Sequence, residues 1–119
     1  MSHTAVMLHN DAEDVSRVER LLAGHSLSLR HCNRVEELER ILSTCLECLV
    51  LLNLDAYDVT NEMLRRMSQV CPQARIIGMS ERPYHPELEL ALRSNLLAVV
   101  ARPINEEELG LCLKGAMDV

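Results

Sequence analysis

Short apolar runs alternate with amphipathic stretches five times along this chain. Residues 4–9 form the first run. After Asp11, Val15, Val18, Leu21 and Leu22 recur at the spacing that places them on one helix face, and Gly24 supplies the stop. Residues 27–32 set Leu27, Leu29 and His31 against Ser28, Arg30 and Cys32, the period of a half-buried strand near a sheet edge. Asn33 is expected to cap the next helix, with Glu36 completing a capping-box pattern and Val35, Leu38, Ile41 and Leu42 forming the apolar stripe. Residues 48–54 are almost uninterrupted apolar, as in a central parallel strand covered on both faces.

A third helix is predicted over 59–70, burying Val59, Met63, Leu64, Met67 and Val70 ahead of Pro72. Residues 74–79 read as a fourth strand, and Pro86 suits the first turn of a helix running to about residue 95. Leu97 to Ala101 form a fifth strand. Asn105 caps a last helix whose first turn, Glu106, Glu107 and Glu108, complements the positive end of the helix dipole. Leu109, Cys112, Leu113 and Ala116 face inward along it. The strict (βα)5 alternation implies a single α/β domain over 1–119, with a doubly wound five-stranded parallel sheet and helices on both faces.

Composition narrows the function. The apolar residues are almost all aliphatic, with no Phe or Trp and only Tyr57 and Tyr84, which argues against base-stacking nucleic-acid folds. A net charge of −6 disfavours direct binding to nucleic acid or to an anionic membrane surface. No apolar run is long enough to span a bilayer and no signal peptide opens the chain, so a cytoplasmic protein is expected. Five cysteines, Cys32, Cys45, Cys48, Cys71 and Cys112, spread through apolar segments read as reduced thiols. Cys45 and Cys48 make a C-x-x-C, but no second ligand pair accompanies it, so a structural role is expected and no metal or cofactor is implied.

In an open parallel sheet, function gathers beyond the carboxyl ends of the strands. Those ends carry His9, Asn10 and Asp11 after strand one and Asn53 to Asp55 after strand three. Ser80 and Glu81 follow strand four, and Arg102 with Pro103 follows strand five. No nucleophile–base pair, glycine-rich phosphate loop or paired catalytic carboxylates can be picked out, which speaks against an enzyme.

The order of elements, the Ser80-to-Arg102 spacing with Pro103 next, the strand Ala74-Arg75-Ile76-Ile77-Gly78-Met79-Ser80 and the helix opening Asn105-Glu106-Glu107-Glu108-Leu109 together resemble the receiver domains of response regulators in two-component signalling. The resemblance implies the CheY-like, flavodoxin-type strand order 2-1-3-4-5. It also implies that Leu49-Val50-Leu51-Leu52 leads to the position of the phospho-acceptor aspartate. Here that position is Asn53, and the two metal-holding acidic positions after strand one are His9 and Asn10. An amide is a poor nucleophile and a His-Asn pair a poor site for a hard cation. Arg102 stands for the family's lysine, Ser80 keeps the hydroxyl, and Val99 stands where many receivers carry a switching aromatic.

The expectation is a degenerate pseudo-receiver, independent of phosphorylation. It would serve as a dimerisation or partner-binding module in signal transduction or transcription control, an N-terminal fragment with its effector domain beyond the C-terminus. In receivers the last two helices and the fifth strand form the usual partner face. Leu90, Leu97 and Leu111 are the candidate patch there, unless they complete the core. Two alternatives stay open: an atypical receiver phosphorylated at Asp55, or a small-ligand or anion sensor using the pocket at the strand ends. Arg102 is either an internal clamp on Asp11 or Asp55 or an exposed arginine at the rim.

Overall fold

The computed structural model describes residues 3–9, 11–45, 48–57, 59–82, 85–90 and 96–117. Its elements run β1 (His3–Leu8), α1 (Ala12–Ala23), β2 (Leu27–Cys32), α2 (Val35–Leu42), β3 (Cys48–Asn53), α3 (Asn61–Val70), β4 (Ala74–Ser80), a 3-10 turn (Pro86–Leu88), β5 (Leu96–Ala101) and α4 (Glu106–Met117). All strand pairs are parallel, and the sheet order is β2-β1-β3-β4-β5. This is the doubly wound sheet that the alternation predicts.

The two faces of the central strands explain why β1 and β3 lack a polar period. Val6, Leu8, Val50 and Leu52 point into a core with Leu38, Leu42, Met63, Leu64 and Met67 of α2 and α3. Ala5, Met7, Leu49 and Leu51 point into the opposite core with Val18 and Leu22 of α1 and Leu109 and Leu113 of α4. Every residue of β3 is buried. Gly78 on β4 leaves room for Leu54, whose Cδ1 would lie 2.8 Å from a Cβ at that glycine.

Several local expectations change. Asn33 does not cap α2: Arg34 is the N-cap residue and contributes no side-chain bond, while the Asn33 carbonyl accepts a hydrogen bond from the Tyr57 hydroxyl. Helix α1 does stop at Gly24, but the glycine stays right-handed and the left-handed residue is Ser26, two positions on. On β2 the alternation fails because an edge strand is only partly covered: Leu27 and Cys32 are buried and His31 is exposed. Val70, at the end of α3, is 43% exposed rather than core. The helix expected from Pro86 to about residue 95 begins as the 3-10 turn, and its stretch over 91–95 lies outside the described residues.

Strand β5 is the other edge. Its pairing with β4 steps from Ile76↔Leu96 to Ile77↔Ala98, so Leu97 is an extra bulge residue. Bulges on edge strands re-aim side chains and disturb the bare backbone ladder. Leu97 is accordingly 56% exposed.

Candidate functional site

The carboxyl ends of β1, β3, β4 and β5 and the N-terminus of α1 converge on a small polar cluster. Asp11 caps α1, its carboxylate accepting from the backbone N–H groups of Glu13 at 2.9 Å and Asp14 at 3.4 Å. The cap turns the helix so that Asp14, Val18 and Leu22, at successive fourth positions, all face inward. Asp14 is 2% exposed. A carboxylate buried this deeply must be saturated with donors. His9 Nε2 lies 3.0 Å and Arg102 Nε 3.1 Å from its Oδ2, and the Ile104 N–H lies 3.1 Å from Oδ1. Burial raises the Asp14 carboxyl's pKa, but the bonds from His9, the Ile104 N–H and Arg102 outweigh it and hold the group below the usual carboxylate range.

Asn53 fixes the protonation of His9, and both side chains are fully buried. The Asn53 Oδ1 accepts from the N–H groups of Asp55 at 2.9 Å and Ala56 at 3.2 Å, so the amide nitrogen must face the other way. That nitrogen is 2.7 Å from His9 Nδ1. Because an amide NH2 only donates, His9 Nδ1 is the acceptor, its proton sits on Nε2, and that N–H donates to Asp14. Burial, and beyond it the Arg102 guanidinium, lowers the His9 pKa against the opposing pull of Asp14. The ring is therefore neutral. Its backbone carbonyl accepts from His31 Nε2 at 2.7 Å, which anchors the end of β1 to β2.

Asp55 and Ser80 close the other side. The Ser80 hydroxyl donates to Asp55 Oδ1 at 2.6 Å and the Glu81 N–H to Oδ2 at 2.7 Å. Ser80 Oγ in turn accepts from the Arg82 N–H at 3.0 Å. Burial raises the Asp55 pKa, and the bonds from Ser80, the Glu81 N–H and Arg102 more than reverse this.

Arg102 ties the halves together. With its side chain 12% exposed, it reaches Asp14 at 3.1 Å and both Asp11 and Asp55 at 3.4 Å. Burial lowers its pKa, but Asp14 and Asp55 together raise it further, so the cation is fixed. Of the two roles open for Arg102, this is the clamp, and Asp14 is an additional arm. The Arg102–Pro103 peptide bond is cis, and Pro103 itself is exposed. Arg17 lies 3.5 Å from Asp14 and Arg82 lies 3.9 Å from Asp55. Each of the three carboxylates thus faces at least one guanidinium group, while Arg17 and Arg82 also pair with Glu13 and Glu87. No group of three or more His, Cys, Asp or Glu side chains is placed to hold a metal ion among the described residues.

The structure thus brings together His9, Asp11, Asn53, Asp55, Ser80 and Arg102, while Asn10 lies outside the described residues. Sequence reasoning missed Asp14. Its signal was present, since Asp14 stands four and eight residues before Val18 and Leu22, on the apolar stripe of α1. Away from this cluster, Leu90, Leu97 and Leu111 are 62%, 56% and 70% exposed, so none of the three completes the core. Leu97 and Leu111 share the mouth of an apolar cavity of about 340 Å³ between β5 and α4, floored by Ile77, Ala98 and Ala116. Leu90 is not among its lining residues.

No family model and no curated protein matches this sequence. Solved structures do. A response regulator from Thermotoga maritima is 12% identical at a TM-score of 0.84, with 100% of both chains covered. The signal receiver domain of an HD domain-containing protein from Pseudomonas fluorescens is 17% identical at a TM-score of 0.83, covering 99% of this chain and 96% of that one. The beryllofluoride-activated NtrC4 receiver domain, a dimer, is 12% identical at a TM-score of 0.83, covering 97% and 96%. At these identities the likeness is one of architecture, and the strand order and the convergence of loops at the strand ends agree with it. The chain has the fold of response-regulator receiver domains.

Proposed function

We propose that this chain is a phosphorylation-independent pseudo-receiver that acts in signal transduction by associating with a second copy or with a partner regulatory protein. The observation that carries this reading is the locked amide at position 53. Asn53 is fully buried, its oxygen holds the following loop, and its nitrogen holds a neutral His9. An amide in this place offers no anionic oxygen to a phosphoryl donor, and the carboxylates around it are already engaged by Arg102. The alternatives draw less support. Both Asp55 oxygens already accept hydrogen bonds, which blunts Asp55 as a substitute acceptor, and Arg102 is engaged by three carboxylates rather than free for an anion.

The association surface in this reading is the exposed edge formed by β5 and α4, where Leu97 and Leu111 flank the apolar cavity. That the NtrC4 receiver is a dimer lends this weight, as does the occurrence of the Pseudomonas receiver within an HD domain-containing protein for a larger regulator as host. The test is intact mass after incubation with acetyl phosphate and Mg²⁺, with oligomeric state recorded before and after. No phosphoryl adduct and an unchanged oligomer are expected. A stoichiometric adduct would overturn the reading, and its position would name the acceptor.

A further inference from the structure

The apolar cavity between β5 and α4 stays open because both elements withhold side chains from it. On the strand, the pairing step from Ile76↔Leu96 to Ile77↔Ala98 turns Leu97 out to the mouth and leaves small Ala98 on the floor. On the helix, Gly115 lines the space. Its backbone is not left-handed, and a Cβ built there would meet nothing within 4 Å, so neither a turn nor close packing calls for glycine. Only proline is less favourable than glycine inside a helix. What Gly115 contributes is room. The lining also carries a single charge. Arg75, the second residue of β4, is half-buried beside Ile77 on the same sheet face. Its side chain has no ion pair or hydrogen bond among the described residues, and no acidic residue lines the cavity, although the chain's net charge is −6.

We propose that this cavity binds a small aliphatic monocarboxylate, its carboxylate paired with Arg75 and its chain laid between β5 and α4 toward Leu97 and Leu111. A guanidinium against apolar walls is short of water and of a carboxylate, and its paired N–H donors match the two oxygens of one. Ile77, Ala98 and Ala116 supply the apolar floor that removes the chain from water. The volume of about 340 Å³ lies at the lower end for small-ligand pockets. At a water's share of ~30 Å³ it holds roughly ten such groups, the size of octanoate. The site rests on the cavity and on Arg75, independently of phosphorylation and of association. It shares the edge proposed above for association, so a bound ligand fills the space between two leucines that a partner would otherwise reach.

The test titrates sodium octanoate, below its micelle concentration, into the ¹⁵N-labelled whole chain and follows amide shifts, with octanol as the uncharged counterpart. Sedimentation records the oligomeric state alongside. We expect saturable shifts centred on Leu97, Ala98, Leu111 and Gly115, with a Kd of about 1 mM or tighter and octanol at least about tenfold weaker. Arg75→Gln should bring octanoate down to the octanol level. Gly115→Leu fills the cavity with a better helix former, so it should raise Tm and abolish the shifts. Shifts that are scattered or do not saturate, equal binding of octanoate and octanol, or undiminished binding in Gly115→Leu would each overturn the proposal. Shifts at the same residues on concentrating the chain alone, with no response to octanoate, would assign the cavity to a second copy. That result overturns the ligand site and leaves the association reading standing. The comparison of octanoate with octanol on the unmodified chain decides the matter even if a variant fails to fold.

Discussion

Replacing Arg102 by Ala removes the one side chain that joins α1, the loop after β3 and the end of β5. The size of the loss follows from how well water can replace each arm. Breaking a buried ion pair costs roughly 3–5 kcal/mol because a charge is left uncompensated, whereas exposed pairs contribute about 0–1 kcal/mol. Asp14 is 2% exposed, but it keeps His9, the Ile104 N–H and Arg17 at 3.5 Å, so this arm falls below that range, near 2 kcal/mol. Asp55 and Asp11, with side chains 19% and 43% exposed, add about 0.5 kcal/mol each. The expected loss is about 3 kcal/mol at neutral pH. It should shrink in acid. His9 has its pKa lowered by burial first and by Arg102 as well, so the folded wild type binds fewer protons than the unfolded chain as pH falls below about 6.5. Wild-type stability therefore declines there. Without the guanidinium, His9 takes up its proton at higher pH beside Asp14, and the variant loses less on acidification. Urea unfolding of both proteins at pH 7.5 and 5.5 measures this directly. A loss under about 1 kcal/mol at pH 7.5, or one that grows on acidification, would refute the clamp.

Asn53→Asp places a carboxylate oxygen against His9 Nδ1 while the loop N–H groups stay satisfied, so His9 should become an imidazolium at pH 7. Side-chain ¹⁵N NMR reads the ring directly, and a ring still neutral in the variant would mean that the amide is not oriented as described. Leu111→Glu, at a site 70% exposed, should leave unfolding stability within about 0.5 kcal/mol yet weaken self-association at least about tenfold. Sedimentation equilibrium decides between these, and an unchanged association constant removes the β5–α4 edge from consideration. Gly78→Ala drives a methyl toward Leu54 Cδ1 and should cost about 1–3 kcal/mol by thermal or urea unfolding, or less if Leu54 can rotate aside.

Apolar periodicity made the fold legible because each strand in the middle of the sheet is buried on both faces and each helix on one. It failed where a residue's setting depends on a neighbour distant in sequence. His31 sits in an apolar-phase position of β2 yet is exposed, because an edge strand has only part of one face covered. Leu97 fits the apolar run of β5 and still turns outward, because a bulge is a property of the pairing with β4 rather than of β5 itself. At the site, strand ends named His9, Asn53, Ser80 and Arg102, but the helix stripe that held Asp14 was read for its apolar members alone. The hydrogen-bond directions that make His9 neutral depend on which way Asn53 turns its amide, and the loop N–H groups of Asp55 and Ala56 orient it.

The choice of arginine at position 102 follows from the rest of the cluster. A lysine ammonium is a compact point charge on a flexible stem, able to follow a negative charge that appears or moves. A guanidinium presents donors in a fixed plane, and here three of its nitrogens face three different carboxylates. Asp11 and Asp14 belong to the start of α1, Asp55 to the loop after β3, and Ser80, itself bonded to Asp55, to the end of β4. Arg102 also returns a backbone bond, its N–H donating to the Ser80 carbonyl at 2.9 Å. These contacts share their partners, which favours a single arrangement of the polar end of the sheet. Strand β5 is held at its carboxyl end by this arrangement and carries Leu97 near its amino end. A surface borne by such a strand is set by folding itself, which is how the proposed pseudo-receiver would present a partner face.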